Sequence, residues 1–334
     1  MKRRLTLLLC LTVLLAAPWA GARSEGQRYG AWLPYWEISD AMDEAEALSG
    51  TLDTAVAFAC IFDAKDQPLM LSDADTLYTL LTDAFTNSDT AVYLSVVNDV
   101  ELAPGQYDNK SADLLNRLFA DDLAMSNHLE ALTALIDRYG LTGLELDYEN
   151  LKSDTDLWSR YAAFLTRLWT VCERDGVQLR VVLPWDAPKY ATLPVGPIYS
   201  VMCYNLYGYH SGPGPKADTA FLQTTCALYA SQPYRARMAF ATGGFSWCEG
   251  DITALTQVQA AELLSRAQVT PTRDAASAVL TAAYTQDGAT HTVWYADAQT
   301  LAAWRAVCEG YGFTDFDLFR LGGNDLTDWQ SKLN

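Results

Sequence analysis

Eight short β-rich runs, helical segments between them, and no Gly-rich phosphate loop after the first run together predict an α/β protein built as a (β/α)8 TIM barrel. A break in this rhythm near residues 250–295 adds a small α+β insertion between strands 7 and 8. A doubly wound open sheet is the competing arrangement, but its first strand normally runs into the phosphate loop that is missing here.

The first residues read as a targeting segment. Lys2, Arg3 and Arg4 precede an apolar run over 5–17, and Ala20, Gly21 and Ala22 form an A-x-A cleavage pattern, so residues 1–22 are expected to be a signal peptide and 23–334 the mature barrel. The apolar run is shorter than the ~20 residues a bilayer-spanning helix needs, and no later stretch is long and apolar enough to cross a membrane. The expectation is a secreted, extracytoplasmic protein that is monomeric and not membrane-integral.

Strand runs follow at 29–36, 54–62, 90–98, 143–149, 179–185, 199–207, 236–245 and 315–323. Between them, "NHLEALTALIDRYG" has apolar Leu129, Leu132, Leu135, Ile136 and Tyr139 at helical spacing. Asn127 and Glu130 are placed to form a capping box, and Gly140 ends the segment. Residues 154–173 and 297–311 read the same way. In the insertion, 254–267 reads as a helix, and "ASAVLTAAYTQDGATHTVWYAD" as a hairpin turning at Asp287 and Gly288.

Loss of residues 1–22 removes three positive charges and takes the formal net charge from -18 to -21. A chain that acidic lacks the clustered cations that displace counterions from nucleic acid, so nucleic acid is excluded as a partner. Cys10 leaves with the leader. The other six cysteines are widely spread without a CxxC, which permits disulfides but forms no dense framework, and Cys60 and Cys203 suit buried thiols. His128, His210 and His291 stand far apart, against a His-based metal site; no metal or other cofactor is expected.

The chemistry concentrates in "GLTGLELDYENL", residues 140–151. Alternate residues of a strand share one face, so Glu145, Asp147 and Glu149 point one way while Leu144, Leu146 and Tyr148 point the other. In a barrel the acids line the interior and rise toward the C-terminal mouth, where barrel enzymes keep their sites. At strand rise successive acids are about 6.6 Å apart, a repulsion of about 2.5 kcal/mol per charged pair at an effective dielectric near 20. That is enough to keep one of the three protonated near neutral pH, as acid-catalysed glycosidic cleavage requires. An exposed polar strand edge or a carboxylate metal cage fits less well: the alternate residues demand burial, and further clustered oxygen ligands are not evident.

The run Thr142-Gly143-Leu144-Glu145-Leu146-Asp147-Tyr148-Glu149 resembles the D-G-x-D-x-D-x-E motif of glycoside hydrolase family 18, with Glu145 for one Asp and Thr142 for the first. "VMCYNLYGYHSGPGP" (201–215) is similar to that family's M-x-Y-D segment. "VWYADAQTLAAWRAVCEGYGFTDFDLFRLGGND" (293–325) is similar to the closing segment of its spore-cortex and cell-wall lytic branch.

The resemblance implies a retaining endo-β-N-acetylglucosaminidase working by substrate assistance, with catalytic Glu149, Asp147 and Tyr204. Glu149 protonates the glycosidic oxygen, Asp147 holds the substrate acetamide N–H, and Tyr204 donates to the acetamide oxygen. Met202 lines the same pocket, and Glu145 sits below Asp147 and tunes its proton. Asn205 replaces the usual Asp and Phe319 the pocket-floor Trp, while "TGGFSW" departs from the family's seventh-strand pattern.

The partner implied is an N-acetylglucosamine-containing glycan: peptidoglycan-type, with chitin or the N-glycan chitobiose core as rivals. A non-hydrolysing lectin on the same barrel is the alternative from another class. Tyr35, Trp36, Trp185 and Trp247, near strand ends, are candidates for stacking on sugars, though each suits core packing equally, and Asn98 either bonds a sugar hydroxyl or caps a loop.

Overall fold

The computed structural model describes residues 29–333. The leader expected over residues 1–22, and Cys10 with it, lie outside the described residues. Eight parallel strands close into a barrel: β1 (Tyr29–Pro34), β2 (Leu52–Asp63), β3 (Ala91–Ala103), β4 (Gly143–Asp147), β5 (Gln178–Pro184), β6 (Ile198–Met202), β7 (Ala236–Ala241) and β8 (Phe316–Phe319). Each pairs with its neighbours in chain order; β8 pairs with β1, and β2 pairs with β3 to complete the ring. The barrel and its insertion between strands 7 and 8 are therefore as expected.

The outer faces of the strands carry the core. Leu144 and Leu146 of β4 are fully buried, as are Leu132 on helix Asp122–Tyr139 and Phe164 and Leu165 on helix Thr155–Asp175. In the second helix the buried residues Leu157, Tyr161, Phe164, Leu165 and Leu168 recur at one-turn spacing, which is why it lies flat on the barrel. Asp154 caps its start, accepting from Leu157 N at 3.0 Å, and Gly176 ends it at φ 72°.

Two expectations about elements are corrected. The helix expected to start at Asn127 starts at Asp122 and is capped by Asp121, which accepts from Ala124 N at 2.8 Å. Asp121 and Asn127 are both good capping types, and the earlier one wins because it adds Met125 to the buried face. Between β5 and β6 the described chain makes only a 3-10 turn, Ala187–Lys189, where the alternating pattern called for a helix.

The insertion begins earlier than residue 250. Strand Gly243–Cys248 leaves the barrel and pairs antiparallel with Asp251–Leu255 and Ala289–Ala296, and the sheet continues through Leu280–Gln286 to Thr272–Arg273. The chain swings out at Gly243, at φ 60°, and a Cβ on Gly244 would lie 1.7 Å from Trp294 O, so only glycine lets these strands meet. All of "TGGFSW" after Thr242 thus belongs to the insertion sheet. Residues expected to be helical from 254 onward divide into the end of strand Asp251–Leu255 and helix Gln257–Arg266.

The barrel interior holds a layer of paired charges. Arg180 of β5 lies 2.6 Å from Glu145 Oε2 and 3.2 Å from Asp317 Oδ2, and Arg237 of β7 donates to Asp317 Oδ1 at 2.7 Å and reaches Asp53 at 2.9 Å. Ser200 donates to Asp317 Oδ2 at 2.6 Å, and Trp32 Nε1 to Glu145 Oε1 at 2.6 Å. Gly30 makes room, since a Cβ there would fall 2.1 Å from Asp317 Oδ1. Removing one partner strands a buried charge, so Arg180→Met is expected to cost about 3–5 kcal/mol in urea unfolding. A loss below about 1 kcal/mol, the scale of an exposed pair, would show that the layer is not held by that cation.

Candidate active site

The acids of β4 occupy three depths. Glu145 is 0% exposed within the charged layer, Asp147 is 9% exposed, and Glu149, just past the end of the strand, keeps 19% of its side chain open at the mouth. Between them Tyr148 turns outward into an aromatic cluster with Phe62, Phe119 and Tyr161, and its hydroxyl pairs with His128 Nε2 at 3.0 Å. That anchor locks the phase of the strand and so turns Asp147 and Glu149 inward.

Asn98 of β3 holds the next peptide. Its Oδ1 accepts from Glu149 N at 2.9 Å, and its Nδ2 donates to Glu149 O at 3.0 Å and to Ser111 O at 3.2 Å. With the amide fully buried and used in this way, Asn98 is not a sugar ligand as one reading had it; it positions the backbone of Glu149. The loop after β3 also brings in Lys110, which sequence reasoning missed. Its ammonium lies 2.5 Å from Glu149 Oε1, and its backbone is pinned by Asp99 Oδ1 at 2.6 Å and by Asn150 Nδ2 at 3.1 Å.

Asp147 Oδ1 is buried with no hydrogen-bond partner among the described residues. Burial pushes this carboxyl well above the usual carboxylate range, and the charges of Glu149 and Glu145 push it further, against the pull of Lys110. Burial also raises Glu145 in spite of Arg180 and Trp32, whereas at Asp317 burial is outweighed by Arg180, Arg237 and Ser200, which hold it low. The Tyr204 hydroxyl is raised well above the usual phenol range, first by burial and then by Asp147 and Glu149, so it stays protonated and able to donate.

Two cavities at the C-terminal mouth flank this array. One of about 310 Å³ is lined by Tyr204, Asn205, Phe319, Lys110, Lys216 and Arg320. The other, of about 400 Å³, is lined by Glu149, Met202, Pro184, Asp186 and Tyr190. Phe319 stacks on Tyr204 with centroids 5.9 Å apart and meets Trp32 and Phe58 edge-on at 6.0 and 6.1 Å, forming an aromatic floor above the charged layer. Asn205 is exposed and sits at φ 70°, a conformation its short amide tolerates. Asp147, Glu149, Met202, Tyr204, Asn205 and Phe319 are therefore brought together.

Other candidates fall elsewhere. Glu145 is sealed beneath Asp147 by Arg180 and Trp32 and cannot touch a ligand. Trp247 belongs to the insertion strand Gly243–Cys248, is buried, and donates to Ser211 O at 3.2 Å, fastening the loop after β6 instead of facing the cleft. Tyr35 packs against the main core and meets Trp36 edge-on at 5.1 Å, while Trp36 itself is 51% exposed. Trp185 lines a rim cavity with Asn205, Leu206 and Phe221, with Lys189 Nζ 4.0 Å above its ring. Arg180 and Asp317 were missed as interior charges; their signal was a charged residue at an inward position of an otherwise apolar strand.

All six described cysteines are thiols, Cys60 and Cys203 among them buried, and no described helix is long and apolar enough to cross a membrane.

No family model and no curated protein matches this sequence. Solved structures do resemble it. The spore cortex-lytic enzyme SleL of Bacillus cereus aligns at 16% identity with a TM-score of 0.75, over 91% of this chain and 73% of that one. A chitinase from Chromobacterium violaceum aligns at 18% and 0.75, over 91% and 98%. A class V chitinase from Nicotiana tobaccum, a mutant in complex with NAG4, aligns at 12% and 0.73, over 92% and 97%. At these identities the likeness is one of fold.

His128 gives the site's anchor a pH dependence. Burial lowers its pKa from 6.5 to about 3, so between those values the unfolded chain binds the proton that the folded one refuses, and stability falls as pH falls below 6.5. Between pH 7 and pH 5 the expected loss is about 2 kcal/mol. His128→Gln should remove that part of the slope in urea unfolding; an unchanged slope would place the acid sensitivity elsewhere.

Proposed function

We propose that this chain is a secreted, monomeric glycoside hydrolase, similar to family 18, that cuts β-1,4 bonds after N-acetylglucosamine with retention of configuration. The observation that carries this reading is the Asp147 carboxyl, buried between two other acids and beside the Tyr204 hydroxyl, with one oxygen unpartnered. A buried acceptor without a donor is costly, and the N–H of a substrate acetamide is the donor that fits it.

Glu149 delivers its proton to the glycosidic oxygen as the bond to the anomeric carbon breaks and the electron pair leaves with that oxygen. The substrate's own acetamide oxygen bonds to the anomeric carbon and gives a cyclic oxazolinium. Asp147 accepts the acetamide N–H, its charged surroundings favouring the cation, and the protonated Tyr204 donates to the acetamide oxygen and aligns it. Water then attacks the anomeric carbon, Glu149 takes its proton, and the acetamide is released. Lys110 must give up Glu149 Oε1 before that carboxyl can carry the proton. Met202 and Phe319 bound the sugar ring on the two sides of this centre.

Peptidoglycan-type glycan is the preferred substrate in this reading, with chitin and the N-glycan chitobiose core as alternatives. The fold neighbours, a cortex-lytic enzyme and chitinases, one of them crystallised with NAG4, support the substrate class. The cationic lock on Glu149 favours one rival, a glycan-binding protein without turnover.

The test is mass spectrometry of products after the mature protein meets peptidoglycan strands, chitin oligomers and an N-glycopeptide. Fragments with reducing N-acetylglucosamine ends are expected, and Glu149→Gln should cut turnover by roughly 100- to 10,000-fold while glycan binding persists. Turnover unaffected by Glu149→Gln would overturn the mechanism, and binding with no products would favour the lectin.

A further inference from the structure

The formal charge of the chain is -18, yet the cavity between Tyr204 and the insertion is lined by three cations, Lys110, Lys216 and Arg320. Two are already matched. Lys110 is on Glu149, and Arg320 forms an ion pair with Glu37, which does not line the cavity, and donates to Leu321 O and Gly322 O at 3.2 Å.

Lys216 is the surplus. It is half-buried, bonds only a carbonyl, Thr242 O at 3.0 Å, and stands 5.1 Å over the Phe245 ring, with no carboxylate within ion-pair distance among the described residues. Burial and the charge of Arg320 lower its pKa to about 8, the mark of a cation held near another without a counterion.

Helix Gln257–Arg266 adds to the same field. Thr256 and Gln259 at its N-terminal end line the cavity, although their N–H groups are spent on the capping box, so the helix contributes only the positive end of its dipole.

We propose that this cavity is a subsite for a carboxylate carried by the glycan, received between the Lys216 ammonium and the Arg320 guanidinium. This rests on the glycosidase reading for its location next to Tyr204 and names the substrate class within it: an acidic-substituted N-acetylglucosamine polymer in preference to a neutral one. A planar carboxylate suits the guanidinium fork with a point charge beside it, and the volume of about 310 Å³ falls within the range of small-molecule pockets. The carboxylate takes over the pairing that Lys216 lacks, and the exposed Asn205 at the rim, where an Asp would repel it, leaves the approach neutral.

The experiment uses the mature chain with Glu149→Gln to suppress turnover, and titrates two oligosaccharides by calorimetry. One is a peptide-free strand alternating N-acetylglucosamine and N-acetylmuramic acid, whose carboxylate is a lactyl ether; the other alternates N-acetylglucosamine and glucuronic acid. Each is used as the acid and after carbodiimide conversion to the methylamide.

The acid form of at least one is expected to bind about tenfold or more tightly than its amide, and the better ligand identifies the source of the carboxylate. Adding Lys216→Met should bring the acid-to-amide ratio close to one, while Lys216→Arg should restore it. Equal affinity for acid and amide, binding of neither form, or a Lys216→Met variant that weakens both forms alike would overturn the subsite. Turnover of the same strands by the protein with Glu149 intact is scored separately. Acid selectivity without products would retain the subsite and sink the glycosidase; products without acid selectivity would do the reverse.

Discussion

The arrangement depends on the buried ion pairs that fill the barrel's interior: Arg180 between Glu145 and Asp317, and Arg237 between Asp317 and Asp53. Charges taken out of water are tolerated only when each finds a partner, and here five strands contribute to one closed set. The set needs Gly30 for space and Ser200 and Trp32 for the remaining hydrogen bonds. Because Glu145 is paired below, the next acid up the strand, Asp147, is left to absorb burial and the field of its two neighbours without a cation of its own. The interior layer thus shapes the chemistry at the mouth without touching it.

Above that layer the backbone is pinned from both sides. Tyr148 is drawn outward by His128 and a ring cluster, and Glu149 is clamped by both polar atoms of the Asn98 amide. The acid's carboxyl is then the movable part, resting on Lys110 in a loop that is itself tied to Asp99 and Asn150. The insertion completes the cleft from the far side: Phe245 beneath Lys216, Thr256 and Gln259 on the cavity wall, Trp247 fastening the loop after β6.

Much of this was legible in the sequence because period-two alternation and helical spacing report burial directly. Leu144, Leu146 and Tyr148 face the helices, as their alternation with the three acids requires, and the Asp287–Gly288 turn, with φ of 52° and 85°, sits where the dipeptide placed it. The partners of the acids were not legible. Arg180 lies in "LRVVLPW" and Asp317 in "FDLF", runs that read as strands, but which charge faces which depends on closure of the ring and on strand register.

The Asn98 amide and the Trp247 indole were open to two uses, and only their distances to Glu149 and Ser211 decide between them. The early start of the insertion at Gly243 was hidden because "ARMAFATGGF" is β-rich throughout; the turn out of the barrel is a matter of one left-handed glycine. Lys216 and Arg320 lie more than a hundred residues apart and gain meaning only from sharing a cavity.

The most direct measurement is the protonation state of Asp147, followed by carbon-13 NMR of carboxyl-labelled aspartates, with the resonance assigned by its loss in Asp147→Asn. A carboxyl that titrates well above the range of an exposed aspartate in the folded, unliganded protein is the expected result, since burial and two neighbouring acids act on it together. An Asp147 that titrates like an exposed aspartate would contradict the coupling between the charged interior and the site.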